Sequence, residues 1–236
     1  MIREQQRSEM RMKAVLIRQK SHPSIPRRSP LERISEVIGM YNPDLIVAPE
    51  FFMNNERRIY TRAEKEGLAQ KIAGISGDRL IVPGTILWQE DGLMKNTAIA
   101  ASEGKVIAEH DKSTDGGEAL IAQTYGLSPF YGKWEACMFP WRGLDIGLEI
   151  CMEHGDKMLK KKGNKVDLQI VPGHGGQLRP HSLHLKNQGY ALVCDGQKPR
   201  TCEIQQRTRF FPQIYKHVAG EDRENAFIYE LFPEGR

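Results

Sequence analysis

The chain has 236 residues, with 34 lysines and arginines against 30 aspartates and glutamates, a formal net charge of +4. Hydrophobic residues make up 39% and charged residues 27%, which argues against wholesale disorder. No stretch approaches the roughly 18 apolar residues of a membrane-spanning helix, so no membrane partner is expected. Basic and acidic residues are interspersed, so the small positive charge gives no reason to expect nucleic acid as a partner.

The first residues, 1–12, are polar, charged and without apolar periodicity. They read as a ragged leader rather than a signal peptide, and the cytoplasm is the expected location. Residues 13–18, Lys-Ala-Val-Leu-Ile-Arg, form a short buried strand. After a proline-rich stretch from His22 to Pro30, Ser29 can cap a helix with Pro30 at its first position. Leu31, Ile34, Val37 and Ile38 would then share one face. Asn42-Pro43-Asp44 ends that helix, and Leu45–Ala48 is a strand running into Pro49-Glu50. A second helix is expected over Thr61–Ile75, and Leu80–Val82 and Gly84–Trp88 read as strands. Asp91-Gly92 marks a hairpin to a strand at Asn96–Ala101, and Glu103-Gly104 a second turn leading to Lys105–His110. The second half continues with a strand at Leu144–Ile150, a short helix at Gly155–Lys162 and a strand at Val166–Val171. Residues 182–189 can be helical, and Tyr190–Cys194 is again strand-like. No composition shift or linker divides the chain, so a single α/β domain over 1–236 is expected, with parallel and antiparallel strand pairing mixed.

Three strands run directly into residues that can do chemistry. Glu50 follows the strand at 45–48, Lys112 that at 105–110, and Cys151 that at 144–150. In open α/β sheets such strand ends converge on one crevice where ligands bind. Cysteine attacks as thiolate, with a free pKa of about 8.5. A carboxylate can take its proton, and an ammonium can stabilise the thiolate and a later oxyanion. The backbone N–H of Met152, following the nucleophile at a tight turn, is the second candidate oxyanion donor.

These residues resemble the nitrilase, or carbon–nitrogen hydrolase, superfamily. The resemblance rests on Leu45-Ile-Val-Ala-Pro-Glu50-Phe-Phe; on Asn96-Thr-Ala98, Gly104-Lys-Val-Ile107 and His110-Asp-Lys112; and on Gly147-Leu-Glu-Ile-Cys151. Val166-Asp-Leu-Gln-Ile-Val-Pro172 and Asn187-Gln-Gly-Tyr-Ala-Leu-Val193 resemble the following family segments, so the similarity covers roughly residues 13–195. It implies a four-layer αββα sandwich and a homodimer or larger assembly. It also implies attack by cysteine on an amide or nitrile carbon, and a thioester intermediate without metal or organic cofactor. A second glutamate downstream of the lysine is implied too, and Glu118 fits best, with Asp115 and Glu135 the other carboxylates in that interval.

Two departures bear on the substrate. Met152-Glu153-His154 follows the cysteine where amidase-type members carry an aromatic residue and Asp; the Cys-x-Glu pattern is that of nitrilases proper. The segment from about 198 onward is atypical. An amide is the expected substrate, with a nitrile, or a catalytically silent binding module on the same scaffold, as alternatives. Phe51, Met152 and His174 are candidate substrate-pocket residues, with one of Phe51 and Phe52 expected in the core.

Competing constellations are weaker. His181-Ser-Leu-His184 with Cys151 and His154 has loose metal-ligand spacing, and no metal is expected. A dyad of Cys151 with His154 or His174 leaves Glu50 and Lys112 unexplained. Lys157–Lys162 reads as a solvated helix face, and the Arg207–Phe211 cluster is too short to argue for nucleic acid.

Overall fold

The computed structural model describes residues 11–17, 29–54, 58–135, 137–197, 202–208, 215–223 and 226–233. The elements in chain order are β1 (Met12–Ile17), α1 (Pro30–Tyr41), β2 (Leu45–Val47), β3 (Tyr60–Thr61), α2 (Arg62–Ser76), β4 (Leu80–Val82) and β5 (Thr85–Glu90). Then come β6 (Leu93–Ser102), β7 (Lys105–Asp111), α3 (Glu118–Thr124), β8 (Ser128–Pro129), β9 (Cys137–Trp141) and β10 (Leu144–Leu148). The remainder is α4 (Met152–Gly155), α5 (Met158–Lys162), β11 (Val166–Gly173), β12 (Leu185–Asp195), β13 (Glu203–Arg207), β14 (Tyr215–His217), β15 (Glu221–Asp222) and β16 (Ala226–Leu231).

The strands form two sheets. The first runs β15-β16-β1-β2-β4-β6-β5-β3, with β7 and β8 also pairing with β6; the second runs β14-β13-β12-β11-β10-β9. Each has a parallel centre, β1-β2-β4 in one and β10-β11-β12 in the other, flanked by antiparallel strands. Side chains alternate along each strand. Ala14, Leu16, Leu45, Val47, Leu80 and Val82 of the first sheet therefore meet Ile146, Leu148, Leu168, Ile170 and Leu192 of the second in one buried layer. Val15, Ile17, Ile46 and Ile81 point the other way, onto Ile34 and Val37 of α1 and Ala69, Ile72 and Ala73 of α2. On the far side Ala191 and Val193 pack with Met158 and Leu159 of α5. The order of layers is αββα.

The helix starts follow from local chemistry. Ser29 and Thr61 each form a capping box, with Glu32 and Glu64 respectively. Asn42 ends α1 in the left-handed conformation, at φ 43°. The hairpin at Asp91-Gly92 has positive φ at both residues, as a two-residue connection between twisted strands requires.

Three expectations need correction. Residues 182–189 are not helical: Leu185 already pairs with Val166, and β12 runs unbroken to Asp195, across an irregularity of register. The helix expected at Gly155–Lys162 is two short ones, α4 and α5, separated at Asp156-Lys157, with Lys157 at φ 61°. Met12 belongs to β1 rather than to a leader; it is buried and pairs with Leu231. Residues 1–10, most of the proline-rich stretch, 198–201 and 209–211 lie outside the described residues. Among the described residues no helix is long and apolar enough to cross a membrane.

Gly84, between β4 and β5, fixes the turn beyond β2. It has φ +78°, and a Cβ there would lie 1.9 Å from the Pro49 carbonyl oxygen and 3.2 Å from the Phe52 Cβ. The Pro49-Glu50 turn occupies the space that any side chain would need. Gly84→Ala should destabilise the protein by about 3 kcal/mol or more, measured as a fall in the denaturant midpoint. An unchanged midpoint would show that the turn has room to move.

Candidate active site

Glu50, Lys112 and Cys151 arrive from three different strand ends. β2 continues through Ala48 and Pro49 to Glu50, whose backbone N–H donates to the Gly173 carbonyl of the other sheet at 3.2 Å. Lys112 follows β7; its N–H donates to Asn96 O at 2.8 Å and its carbonyl accepts from Gly132 N at 2.9 Å. Cys151 follows β10, and its N–H donates to Pro172 O at 2.9 Å. The last residues of β11, Pro172 and Gly173, thus hold both the thiol and the acid by their backbones.

Lys112 Nζ donates to Glu50 Oε1 at 2.7 Å and to Glu118 Oε1 at 2.6 Å. All three side chains are buried: relative exposure is 1% for Glu50, 2% for Lys112 and 3% for Glu118. Glu118 opens α3, and its other oxygen accepts the Gly116 N–H at 2.6 Å. A Cβ on Gly116 would lie 2.7 Å from Lys112 Nζ, so a glycine lets the loop close over the ammonium. Of the other carboxylates in this interval, Asp115 accepts the N–H groups of Gly117 and Ala119, and Glu135 lies 4.0 Å from Lys162 Nζ.

Electrostatics divide the labour. Burial pushes the Glu50 carboxyl up to about 7, against the pull of Lys112. Burial works to lower the Lys112 ammonium, yet the charges of Glu50 and Glu118 hold it above its ordinary value. Burial and then the Glu50 charge push the Cys151 thiol up to about 12. The resting group is therefore a neutral thiol beside a carboxylate that titrates near neutrality, with a permanent cation behind it.

Cys151 itself sits at φ 48° and ψ −102°, a conformation unfavourable for any residue with a Cβ, at an expected cost of about 1–3 kcal/mol. The sharp turn lifts the sulfur off the strand, partly buried, with the His174 carbonyl as a weak acceptor at 3.9 Å and the Glu50 carboxyl beside it. Met152, the first residue of α4, carries a backbone N–H with no intrahelical acceptor. Its side chain is 39% exposed.

Phe51 and His174 stand edge to face with ring centroids 5.3 Å apart. Burial lowers the His174 imidazole, which is therefore neutral near pH 7. Phe52 is buried in the outer core beneath Arg33, while Phe51 is partly buried against Ile59, Leu87, Met94 and Ala122.

The rival histidines go elsewhere. His154 is buried with Nδ1 3.1 Å from Glu149 Oε2, and its Nε2 accepts the Arg179 N–H at 3.1 Å. It has turned away from Cys151. His181 lies exposed in a single 3₁₀ turn, Pro180–Ser182, rather than on an α-helix with His184. Cys194 and Cys202 are core residues with sulfurs 3.8 Å apart. Cys137 is mostly buried, and burial pushes its thiol up to about 11.

Two contributors were not read from the sequence as site residues. Asn96 Nδ2 donates to Glu50 Oε1 and to Glu118 Oε1, at 2.9 Å each, so one amide bridges both carboxylates. Its signal was a polar residue set in the otherwise apolar inward face of β6. Glu153 was read only as part of a Cys-x-Glu pattern; it is fully buried and faces His110 and Ser113 rather than the thiol. Its position beside the nucleophile therefore carries no argument for a nitrile over an amide.

No family model and no curated protein matches the chain. Solved structures do. A mutant of the amidase from Nesterenkonia AN1, of the nitrilase superfamily, matches with a TM-score of 0.65 at 15% identity, covering 93% of this chain and 90% of that one. Another mutant of that amidase carries the acetamide moiety of fluoroacetamide covalently at its active-site cysteine. It matches at 0.59 and 16% identity, covering 94% and 91%. A CN-hydrolase superfamily protein from Xanthomonas campestris, with an arsenic adduct in its active site, matches at 0.60 and 12% identity, covering 94% and 91%. The αββα architecture expected from the sequence is thus the fold that this chain shares with the nitrilase-superfamily amidases.

Proposed function

We propose that this chain is a carbon–nitrogen hydrolase of the nitrilase superfamily that cleaves the amide bond of a small molecule through a thioester on Cys151. The observation that carries this reading is the buried Glu50–Lys112–Glu118 group set against a partly buried thiol on a strained turn. A carboxylate raised to about 7 and an ammonium held charged beside a nucleophile have an obvious use in acyl transfer and none in packing.

Glu50 accepts the thiol proton as Sγ attacks the amide carbon, so thiolate and oxyanion need not coexist unpaired. The developing oxyanion is held by Lys112 Nζ and the Met152 N–H. The protonated Glu50 then donates to the departing nitrogen, and ammonia or an amine leaves. Glu50, ionised again, takes a proton from water as the water attacks the thioester carbon, and passes it to Sγ. The acid is released and the thiol restored, so protons and atoms balance over the cycle without a metal or organic cofactor. Glu118 orients Lys112, and Phe51, His174 and the Met152 side chain wall the pocket. A homodimer or larger assembly and a cytoplasmic setting go with this reading.

The test is ammonia release from a panel of small primary amides. The pH profile of kcat/KM should show an acid limb at about 7, activity falling as pH drops and Glu50 takes up its proton. Lys112 stays charged well past neutrality and should add no alkaline limb there. A panel without turnover, or a limb in the ordinary carboxylate range, would count against this reading.

A further inference from the structure

Glu153 lies two residues past Cys151, and its carboxylate joins the two strand ends that carry the ammonium and the thiol. One oxygen accepts the backbone N–H of Ile150, the residue before Cys151, at 2.7 Å. The other accepts the N–H of Ser113 at 2.8 Å and its hydroxyl at 2.6 Å. His110 Nε2 reaches the two oxygens at 3.0 and 2.8 Å, which places its ring hydrogen on that nitrogen. Ser113 follows Lys112 and His110 precedes it by two. β7 belongs to the first sheet and β10 to the second, so one buried carboxylate fastens the sheets together at the site. Burial works to raise its pKa, but these donors outweigh burial and hold it below the usual glutamate value.

We propose that Glu153 is a positioning residue: it sets the separation of Lys112 and Cys151 by holding His110 and Ser113, on either side of the lysine, against the Ile150 N–H beside the cysteine. This rests on the catalytic reading of Lys112 and Cys151 given above. Glu153 touches no reacting atom and acts through its neighbours. Its side chain must be both ionised and of this length. Glutamine keeps the shape but turns an N–H₂ group toward either Ile150 N–H or Ser113 N–H, a clash of donors in both orientations. Aspartate keeps the charge but is one methylene too short to span both ends.

The experiment compares wild type, Glu153→Gln, Glu153→Asp and the milder Ser113→Ala, with Cys151→Ala as control. It measures kcat and KM on the best amide, and the rate of Cys151 alkylation by iodoacetamide against pH, with the labelled peptide identified by mass spectrometry. Misplacing reacting groups by about 1 Å costs about 100-fold. Glu153→Gln and Glu153→Asp should therefore lose about 30-fold or more in kcat with KM nearly unchanged, and Ser113→Ala a smaller part of that. As Lys112 drifts from Glu50, the acid limb should move to higher pH. A lower melting temperature with kcat, alkylation rate and pH limb all as in wild type overturns the inference, because Glu153 is then only structural. If Cys151→Ala is inactive while the Glu153 variants keep the wild-type kcat and acid limb, the inference fails and the catalytic reading stands. If no amide turns over, the alkylation profile of Cys151 decides alone, and an unchanged profile overturns it. Should the Glu153 variants not fold, the same readouts on Ser113→Ala decide.

Discussion

Cys151→Ala should abolish amide hydrolysis, with a loss on the order of 10⁶-fold, the scale on which removal of a nucleophile acts in a covalent hydrolase. No neighbour can substitute for it. Cys194 and Cys202 are buried in the core, and Cys137, at the start of β9, has neither Glu50 nor Lys112 among the groups acting on its thiol. His154, the nearest alternative nucleophile in sequence, is engaged by Glu149 and the Arg179 N–H. The substitution removes one partly buried sulfur whose contacts are weak, the His174 carbonyl at 3.9 Å among them, so the melting temperature should move by about 3 °C or less. Loss of turnover with an intact fold separates chemistry from stability. Activity persisting in the variant would move the nucleophile elsewhere, and a wild type that neither turns over nor reacts fast with iodoacetamide at Cys151 would favour the silent binding module.

Lys112→Met should damage both function and folding. Methionine fills much of the lysine's volume but leaves Glu50 and Glu118 buried together, with only the Asn96 amide between them. Removing one partner of a buried ion pair costs about 3–5 kcal/mol, because the charge left behind has no compensation. Loss of an oxyanion donor alone costs about 10²–10³-fold in kcat. The stability loss should depend on pH, and its sign follows from the carboxylates. Without the ammonium, the Glu50 carboxyl is held still further above its unfolded value, by burial and by the neighbouring Glu118 charge. A group raised on folding contributes stability below its unfolded pKa and loses it as pH rises through the folded pKa. The variant should therefore approach wild type in acid and fall behind it at neutral pH and above. Denaturant midpoints at about pH 5 and about pH 8 measure this, and a deficit equal at both would show that the carboxylates are not left buried and charged.

The chemistry was legible because it lies at strand ends, and strand ends are marked locally. Leu45–Ala48 running into Pro49-Glu50, and Leu144–Ile150 into Cys151, announce themselves by apolar runs that stop at a polar residue. The capped helices after Ser29 and Thr61 are legible for the same reason: cap, glutamate and apolar face all lie within a few residues of one another. What stayed hidden depends on partners distant in sequence. Leu185–Gly189 is polar enough for an exposed helix, yet the edge of β11 recruits it. Gln188 adopts φ 60°, and Gly189 packs where a Cβ would lie 3.0 Å from the carbonyls of Val166 and Asp167. No local pattern encodes that pairing. Asn96 and Glu153 were hidden likewise. Each acts through residues dozens of positions away, 46 for Asn96 with Glu50 and 43 for Glu153 with His110. A buried polar residue announces that it needs partners, not which ones. The break between α4 and α5 was missed because Asp156-Lys157 contains neither glycine nor proline.

The most direct test of the central claim is to trap the intermediate. Wild-type protein turning over a small amide is quenched in acid and weighed intact, then digested. The expected result is a species heavier by the acyl group less one hydrogen, with the added mass on the peptide carrying Cys151 and absent from Cys151→Ala. Continued ammonia release with no acylated protein, or with the acyl group on any other residue, would contradict hydrolysis through a thioester at this site.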